Sequence, residues 1–291
     1  MYYYLLFFIF GTLVGSFLNV VSLRYRPGQK LFDPKIIGGR SFCPLCRKKL
    51  VWYELIPILS FVLQRGRCRS CRKRLSFQYP LVEFLTGLIF VAVPWRLLSY
   101  ESPVVNYQFL IGGAVVWISV FILFLLLSVI DLRHSVIPNE LNLMLAILGV
   151  LLMLLVFTYD KFNPVDSVFL RYYALLLDLR KSVWLNHLLA AISGMAIFGA
   201  IIVLSKGRAM GWGDFKLVGA LGLIFGWPEI LLVLVLAFVI GAAISVGLLL
   251  RGKKTVKDAI PFGPFLVVSG TLVFFFGFEI VNSYFKLFKL M

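Results

Sequence analysis

The chain has 291 residues, carries 29 Lys and Arg against 13 Asp and Glu, and has a formal net charge of +16. It is 61% hydrophobic and only 14% charged, with a mean hydropathy of +0.96. That balance excludes an ordinary soluble domain, in which about a quarter of residues are charged. Apolar runs able to span about 30 Å of hydrocarbon recur along the sequence, so an all-α polytopic membrane protein is expected.

In chain order the predicted spans are Tyr3–Leu23, Leu81–Leu98, Phe109–Ile130, Leu141–Phe157, Asn186–Ser205, Phe215–Trp227, Ile230–Leu250 and Phe262–Phe285, about eight helices in all. The first lacks a basic leading region and a small-x-small cleavage site, so it reads as a retained helix. Its Gly11-x-x-x-Gly15 spacing suits close helix packing. The run Leu217–Trp227 is too short to cross at about 1.5 Å per residue. Either Asp214 and Lys216 lie below the membrane surface or this helix is a partial span, and irregular backbone at depth is tolerated only beside a protein-lined cavity.

Cationic residues set the orientation. Fourteen of the 29 Lys and Arg fall in Arg24–Arg74. Arg133, Lys206, Arg208, Lys216, Arg251, Lys253, Lys254 and Lys257 join them on one side if the spans alternate. Only Arg96, Lys161, Arg171, Arg180, Lys181, Lys286 and Lys289 belong to the other side and its flanks. The positive-inside rule makes the richer side cytoplasmic and the N-terminus external. The net charge then reflects topology and attraction to membrane lipid. No nucleic-acid fold signature occurs in the basic loop, so no nucleic-acid partner is expected.

The one sizeable polar segment is Arg24–Pro80, with too little apolar sequence for a strong core of its own. It holds all four cysteines, as Cys43-Pro-Leu-Cys46 and Cys68-Arg-Ser-Cys71, with 21 residues between the pairs. Two Cys-x-x-Cys knuckles at this distance read as a tetrahedral Zn²⁺ site. Redox pairs or disulfides are the competing readings, and a reducing cytoplasm disfavours disulfides. Four thiolates leave no open coordination position, so the metal would be structural. The expected division is residues 1–23 as the first helix, 24–80 as the cytoplasmic zinc loop, and 81–291 as a membrane-embedded catalytic region.

Asp131 closes the apolar run Val115–Ile130. Asp214 sits in Gly211-Trp212-Gly213-Asp214, between the runs Leu188–Leu204 and Leu217–Trp227. Ionisable groups at membrane depth are costly and mark functional sites. A single one is commonly a helix-end residue facing headgroups. Here two fall at the same, cytoplasmic, face, although the span assignment did not impose it. A pair of carboxylates suggests aspartic-protease chemistry, in which they share one proton and activate water.

Several motifs together resemble one family, the type 4 prepilin peptidases. They are Gly15-Ser16-Phe17-Leu18-Asn19 with Arg24-Tyr25-Arg26-Pro27, the two cysteine knuckles, and Trp52-Tyr53-Glu54-Leu55-Ile56-Pro57. Further along come Tyr79-Pro80-Leu81-Val82-Glu83, Ile130-Asp131-Leu132-Arg133 with Ile137-Pro138-Asn139, Gly211-Trp212-Gly213-Asp214-Phe215-Lys216, and Ile260-Pro261-Phe262-Gly263-Pro264. The resemblance runs through nearly the whole chain. It implies a bacterial inner-membrane enzyme of type IV pilus or type II secretion systems. Such an enzyme cuts the basic leader from prepilins or pseudopilins and then methylates the new N-terminus with S-adenosylmethionine. It also implies Asp131 and Asp214 as the catalytic pair. Gly211 and Gly213 would admit an extended substrate close to the backbone. Pro138 would restart the chain as a helix.

Two positions depart from the family pattern: Asn139 stands where an aspartate is common, and Glu54 where many relatives have Asp. The stretch Thr158–Trp184 is long; it reads as an external loop with an amphipathic piece around Phe169–Leu179, and its Asp160, Asp166 and Asp178 are not catalytic candidates. No Gly-rich dinucleotide fingerprint is present, so the S-adenosylmethionine site rests on the resemblance. Its candidates are Asn19, Trp52, Tyr53, Glu54 and Glu83. Glu83 could instead bind a basic leader, and Trp52 and Tyr53 could be interfacial anchors. His134 and His187 have no partner set for a metal or a triad. The competing functions are a GxGD-type intramembrane protease without methyl transfer, and a transporter or scaffold in which the aspartates relay protons.

Overall fold

The computed structural model describes residues 2–99, 107–159, 169–170, 182–252, 255, 258 and 260–287. Among these the secondary structure is helical, apart from two isolated bridges, Phe42 with Lys49 and Arg67 with Arg74. Among the described residues, seven helices are long and apolar enough to cross a membrane. The chain forms two compact units, Met1–Glu101 and Ser102–Met291.

The first unit is built on α1 (Tyr2–Arg24) and α4 (Gln78–Leu98), with the short α2 (Pro34–Ile37), a 3₁₀ turn (Trp52–Glu54) and α3 (Leu59–Leu63) between them. The expected glycine contact is present. A Cβ on Gly15 would stand 2.7 Å from Glu83 Cα, and one on Gly11 would stand 2.7 Å from the Thr86 carbonyl oxygen. Gly87 returns the arrangement, since its Cβ would meet the Phe8 ring at 2.7 Å. Small residues thus let the two backbones touch, which is how helices gain contact where the hydrophobic effect gives them no drive to pair. Gly11 meets Gly87, Gly15 meets Glu83, and Asn19 Nδ2 donates to the Tyr79 carbonyl at 3.0 Å, so α1 and α4 are antiparallel. At the end of α1, Arg24 donates to the carbonyls of Ile36, Gly38 and Arg40, holding the loop against the helix end.

The second unit holds α5 (Tyr107–His134), α6 (Asn139–Tyr159), α7 (Val183–Leu204), α8 (Trp212–Phe225), α9 (Glu229–Leu250) and α10 (Gly263–Leu287). The predicted partial span is α8. Its 14 residues extend only about 21 Å, short of the hydrocarbon thickness. It lies against α7 so closely that a Cβ on Gly222 would stand 2.4 Å from Ala191 Cα. Asn186 closes the far end of this pair: its Nδ2 donates to the Trp227 carbonyl at 2.8 Å and its Oδ1 accepts from Trp227 N–H at 3.0 Å. His187 also meets a backbone oxygen, that of Leu223, at 2.8 Å. An aromatic cluster of Trp117, Phe121, Phe169, Phe225 and Phe274 joins α5, α8 and α10, its closest rings 4.6 Å apart. Phe169 and Leu170 are buried. The rest of the expected amphipathic stretch, together with Asp160, Asp166 and Asp178, lies outside the described residues.

Candidate active site and metal centre

Asp131 lies in the last turn of α5. Its carbonyl accepts from Ser135 N–H at 2.7 Å, and Ser135 ends the helix with φ of 52°, a left-handed stop. Pro138 then accepts from Leu141 N–H as α6 begins. The Asp131 side chain is 3% exposed. Its Oδ2 accepts from the backbone N–H of Gly263 at 3.1 Å. Gly263 opens α10, so the carboxylate sits at a helix N-terminus, where the exposed N–H groups and the helix dipole favour negative charge. A Cβ on Gly263 would fall 2.6 Å from that same Oδ2. The glycine is therefore what allows the carboxylate to reach its donor.

Asp214 occupies the first turn of α8, behind the extended N-cap Gly211, and its Oδ2 accepts from Gly211 N–H at 3.4 Å. An acid here is favoured by the dipole and reaches back over the helix start. The turn that carries Asp214 and the helix start that holds Asp131 meet across one side chain, Ile137. Ile137 packs between the two glycine positions: its Cβ lies 3.3 Å from where a Gly213 Cβ would be, and its Cδ1 3.3 Å from where a Gly263 Cβ would be. Gly213 thus makes room for the protein's own Ile137 as well as leaving the turn slim. Asn139, at the start of α6, accepts from Lys216 Nζ at 2.8 Å, bringing α6 and α8 together without a carboxylate at that position.

The four cysteines form a second centre, within the first unit. Their sulfur atoms all lie within 4.8 Å of one another. The two knuckles repeat one design. Cys43 and Cys68 each donate their N–H to the carbonyl five residues on, at 3.0 and 2.9 Å, and each carbonyl accepts from the N–H four residues on. Arg47 and Arg72, each just past a knuckle's second cysteine, both take left-handed φ, 57° and 56°. The Cys68 thiol is drawn down to about 7, first by the Cys71 N–H and against the effect of burial, with help from the Ser70 N–H and the Cys43 and Cys71 side chains. Tetrahedral zinc at about 2.3 Å from each sulfur needs sulfurs roughly 3.8 Å apart, so the cluster fits a metal ion. Among the described residues no other His, Cys, Asp or Glu group fits one.

Comparison with known proteins bears directly on these sites. Residues 9–97 match the model of the bacterial peptidase A24 N-terminal domain, and residues 118–246 that of the type IV leader peptidase family. The chain belongs to the type IV leader peptidase family. It is 32% identical to a prepilin leader peptidase/N-methyltransferase of Aeromonas hydrophila, over 97% of this chain and 93% of the relative. Proteins with the same description from Xanthomonas campestris pv. campestris and Bacillus subtilis are 32% and 30% identical, over 95% and 96% of this chain and 92% and 97% of theirs. No solved structure matches the chain.

In this leader peptidase family member the residues proposed for methyl transfer all fall in the first unit but form two groups. Asn19 and Glu83 are buried where α1 meets α4. Glu83 Oε2 accepts from Ile58 N–H at 2.7 Å, so its carboxylate pins the loop to α4. That engagement argues against Glu83 as a free docking charge for a basic leader. The Asn19 Oδ1 is buried and has no hydrogen-bond partner among the described residues. Trp52, Tyr53 and Glu54 form the 3₁₀ turn, with Trp52 77% exposed. Glu54 Oε2 accepts from Val51 N–H at 3.1 Å, and the Arg69 guanidinium lies 5.3 Å from the Tyr53 ring centre, tying the turn to the second knuckle. Exposed aromatic faces beside a carboxylate suit a cationic, ring-bearing ligand, so this group fits a sulfonium methyl donor.

The sequence reading singled out both aspartates but assigned no role to Gly263 or Asn142, and gave Ile137 none beyond preceding Pro138. Gly263 was visible as part of Pro261-Phe262-Gly263-Pro264. Its function as the Asp131 donor was not, because the two are 132 residues apart.

Proposed function

We propose that this chain is a prepilin leader peptidase in which Asp131 and Asp214 are the catalytic pair. One carboxylate, ionised, takes a proton from water as the oxygen attacks the scissile carbonyl. The other, protonated, donates a hydrogen bond to that carbonyl oxygen and then supplies the proton the leaving amine needs. Neighbouring carboxylates cannot both ionise cheaply, so the pair shares one proton and titrates as a unit. The observation that carries this reading is the buried Asp131 held by Gly263 N–H, with Ile137 bridging from Gly263 to Gly213, the residue before Asp214. The Gly263 donor orients one oxygen and leaves the other for water.

Cys43, Cys46, Cys68 and Cys71 hold a structural Zn²⁺ that stabilises the loop of the first unit. Trp52, Tyr53 and Glu54, with Asn19 and Glu83 nearer the helices, would hold S-adenosylmethionine, whose chemistry is to supply a methyl cation equivalent to the new N-terminal amine. The excess of Lys and Arg in the loops on one side supports a cytoplasmic active site in this multi-pass membrane protein, whose substrates are type IV prepilins or pseudopilins.

The test is co-expression with a prepilin and intact-mass measurement of the product, beside Asp131→Asn and Asp214→Asn. Leader loss in the parent alone, with one added methyl, is the expected result. Leader loss without the methyl removes the methyltransferase part. Cleavage that survives both substitutions overturns the aspartate mechanism.

A further inference from the structure

A groove of about 550 Å³ runs between α6, α7 and α8. Most of its wall is apolar, with Ala146, Ile192 and Met195 along its length, and its three polar lining residues are Asn139, Asn142 and Lys216. Asn142 Nδ2 reaches the Gly213 carbonyl at 3.4 Å, and farther along Leu223 packs against Gly149, so α6 and α8 run parallel; with Asn139 bonded to Lys216, the polar residues gather at the groove's Asp214 end.

Asn142 is the informative residue. It is 6% exposed, and because a carbonyl can only accept, the bond to Gly213 fixes its Nδ2 on that side. Its Oδ1 is then turned away, buried and, among the described residues, without a donor. Buried acceptors are almost always paired, so an unpaired one at the mouth of a groove marks a missing partner. A lipid chain has no donor to give. An extended polypeptide presents a backbone N–H at every residue. Lys216 at the same end repels cationic side chains, and the apolar wall offers nothing to charged ones.

We infer that this groove is the docking subsite for the substrate polypeptide: it takes an uncharged, apolar segment adjoining the scissile bond, and Asn142 Oδ1 accepts a hydrogen bond from that segment's backbone. The inference rests on the peptidase reading above and adds where the substrate lies. Asn142 also reaches the carbonyl of the residue before Asp214, so the side chain that holds the substrate touches the turn that carries the catalytic carboxylate.

Two measurements test it, both on the full-length enzyme in vesicles with intact prepilin. In the first, Asp214→Asn holds the substrate uncleaved, and a photo-crosslinking phenylalanine analogue replaces Ile192 in the groove or Leu185 on the same helix outside it. The expected result is prepilin crosslinked from position 192 in clear excess over 185, through an apolar peptide. Adducts only with lipid or water, or equal yields at both positions, overturn the inference. In the second, Asn142→Leu and Ala146→Phe are assayed in otherwise unmodified enzyme. Each should raise KM roughly tenfold, as expected for one lost interaction with bound substrate, and change kcat less. A purely structural role would instead lower kcat and accumulation together. Unchanged KM in both folded variants also overturns the inference, and if either fails to accumulate the crosslink decides. Failure here, with cleavage still dependent on Asp131 and Asp214, removes the groove alone. A parent enzyme that cleaves no prepilin removes the peptidase reading first.

Discussion

Gly263 and Asp131 are joined by one hydrogen bond, 3.1 Å from backbone N–H to carboxylate Oδ2, between the first residue of α10 and the last turn of α5. The same oxygen would lie 2.6 Å from any Cβ added at position 263. A closer approach than about 3 Å cannot be accommodated without moving the aspartate or the helix start. The contact that holds the carboxylate therefore also dictates the residue that can hold it.

Gly263→Ala tests this. The added methyl displaces Asp131 by a fraction of an ångström to an ångström, and misplacement on that scale costs up to about 10²-fold in rate. Cleavage of a co-expressed prepilin should fall by that order while the protein still accumulates in the membrane. Activity within about threefold of the parent would show that Asp131 tolerates a different donor geometry.

Asp131→Asn and Asp214→Asn remove a carboxylate while keeping its size. Each should lower the cleavage rate by about 10³-fold or more, because general acid–base catalysis needs both protonation states. Their combined effect should be close to either alone, since residues that act as a unit are not additive. A double variant far slower than both singles would mean that the two act independently.

The cysteine centre predicts a pH dependence with a definite sign. The folded Cys68 thiol is drawn down to about 7, below the ordinary thiol range near 8.5. The folded state therefore favours the thiolate. That contribution is complete above the unfolded value and is lost as pH falls through about 7. Protons compete with metal for the same sulfur, so bound zinc, read by elemental analysis after dialysis, should decrease as pH is lowered from 8 to about 5.5. Cys43→Ser with Cys68→Ser should abolish zinc binding, with peptidase activity falling less than methylation. Equal metal content in variant and parent would refute the site.

Asn186→Ala removes both of its part-buried hydrogen bonds to the Trp227 backbone. Two such losses correspond to about 2–4 kcal/mol. Thermal unfolding in detergent should shift down accordingly. Gly222→Val should fare worse, since its Cβ would overlap Ala191 Cα at 2.4 Å, and loss of membrane accumulation is expected. A stable Gly222→Val protein would mean that α7 and α8 can separate.

Much of this protein was determined by the sequence alone, and the reason is chemical. Hydrocarbon tolerates few charges, so every long apolar run declared a helix, and the two aspartates at run ends stood out against that background. The paired Cys-x-x-Cys knuckles were legible for the same reason: metal ligation demands particular residues at short local spacing. The shortness of α8 and the Gly11/Gly15 contact also followed from local counts. What only tertiary structure decided were relationships across long separations. Asp131 meets Gly263, Asn142 meets Gly213, and Asn186 clamps Trp227 because helices pack side by side, and no periodicity in one helix records the register of another. Glu83 shows the limit most clearly. From the sequence it could bind a cofactor or a basic leader, and the fold uses its carboxylate to hold the Ile58 backbone. A buried charge must be satisfied by whatever donor packing brings nearest, and packing is a property of the whole chain.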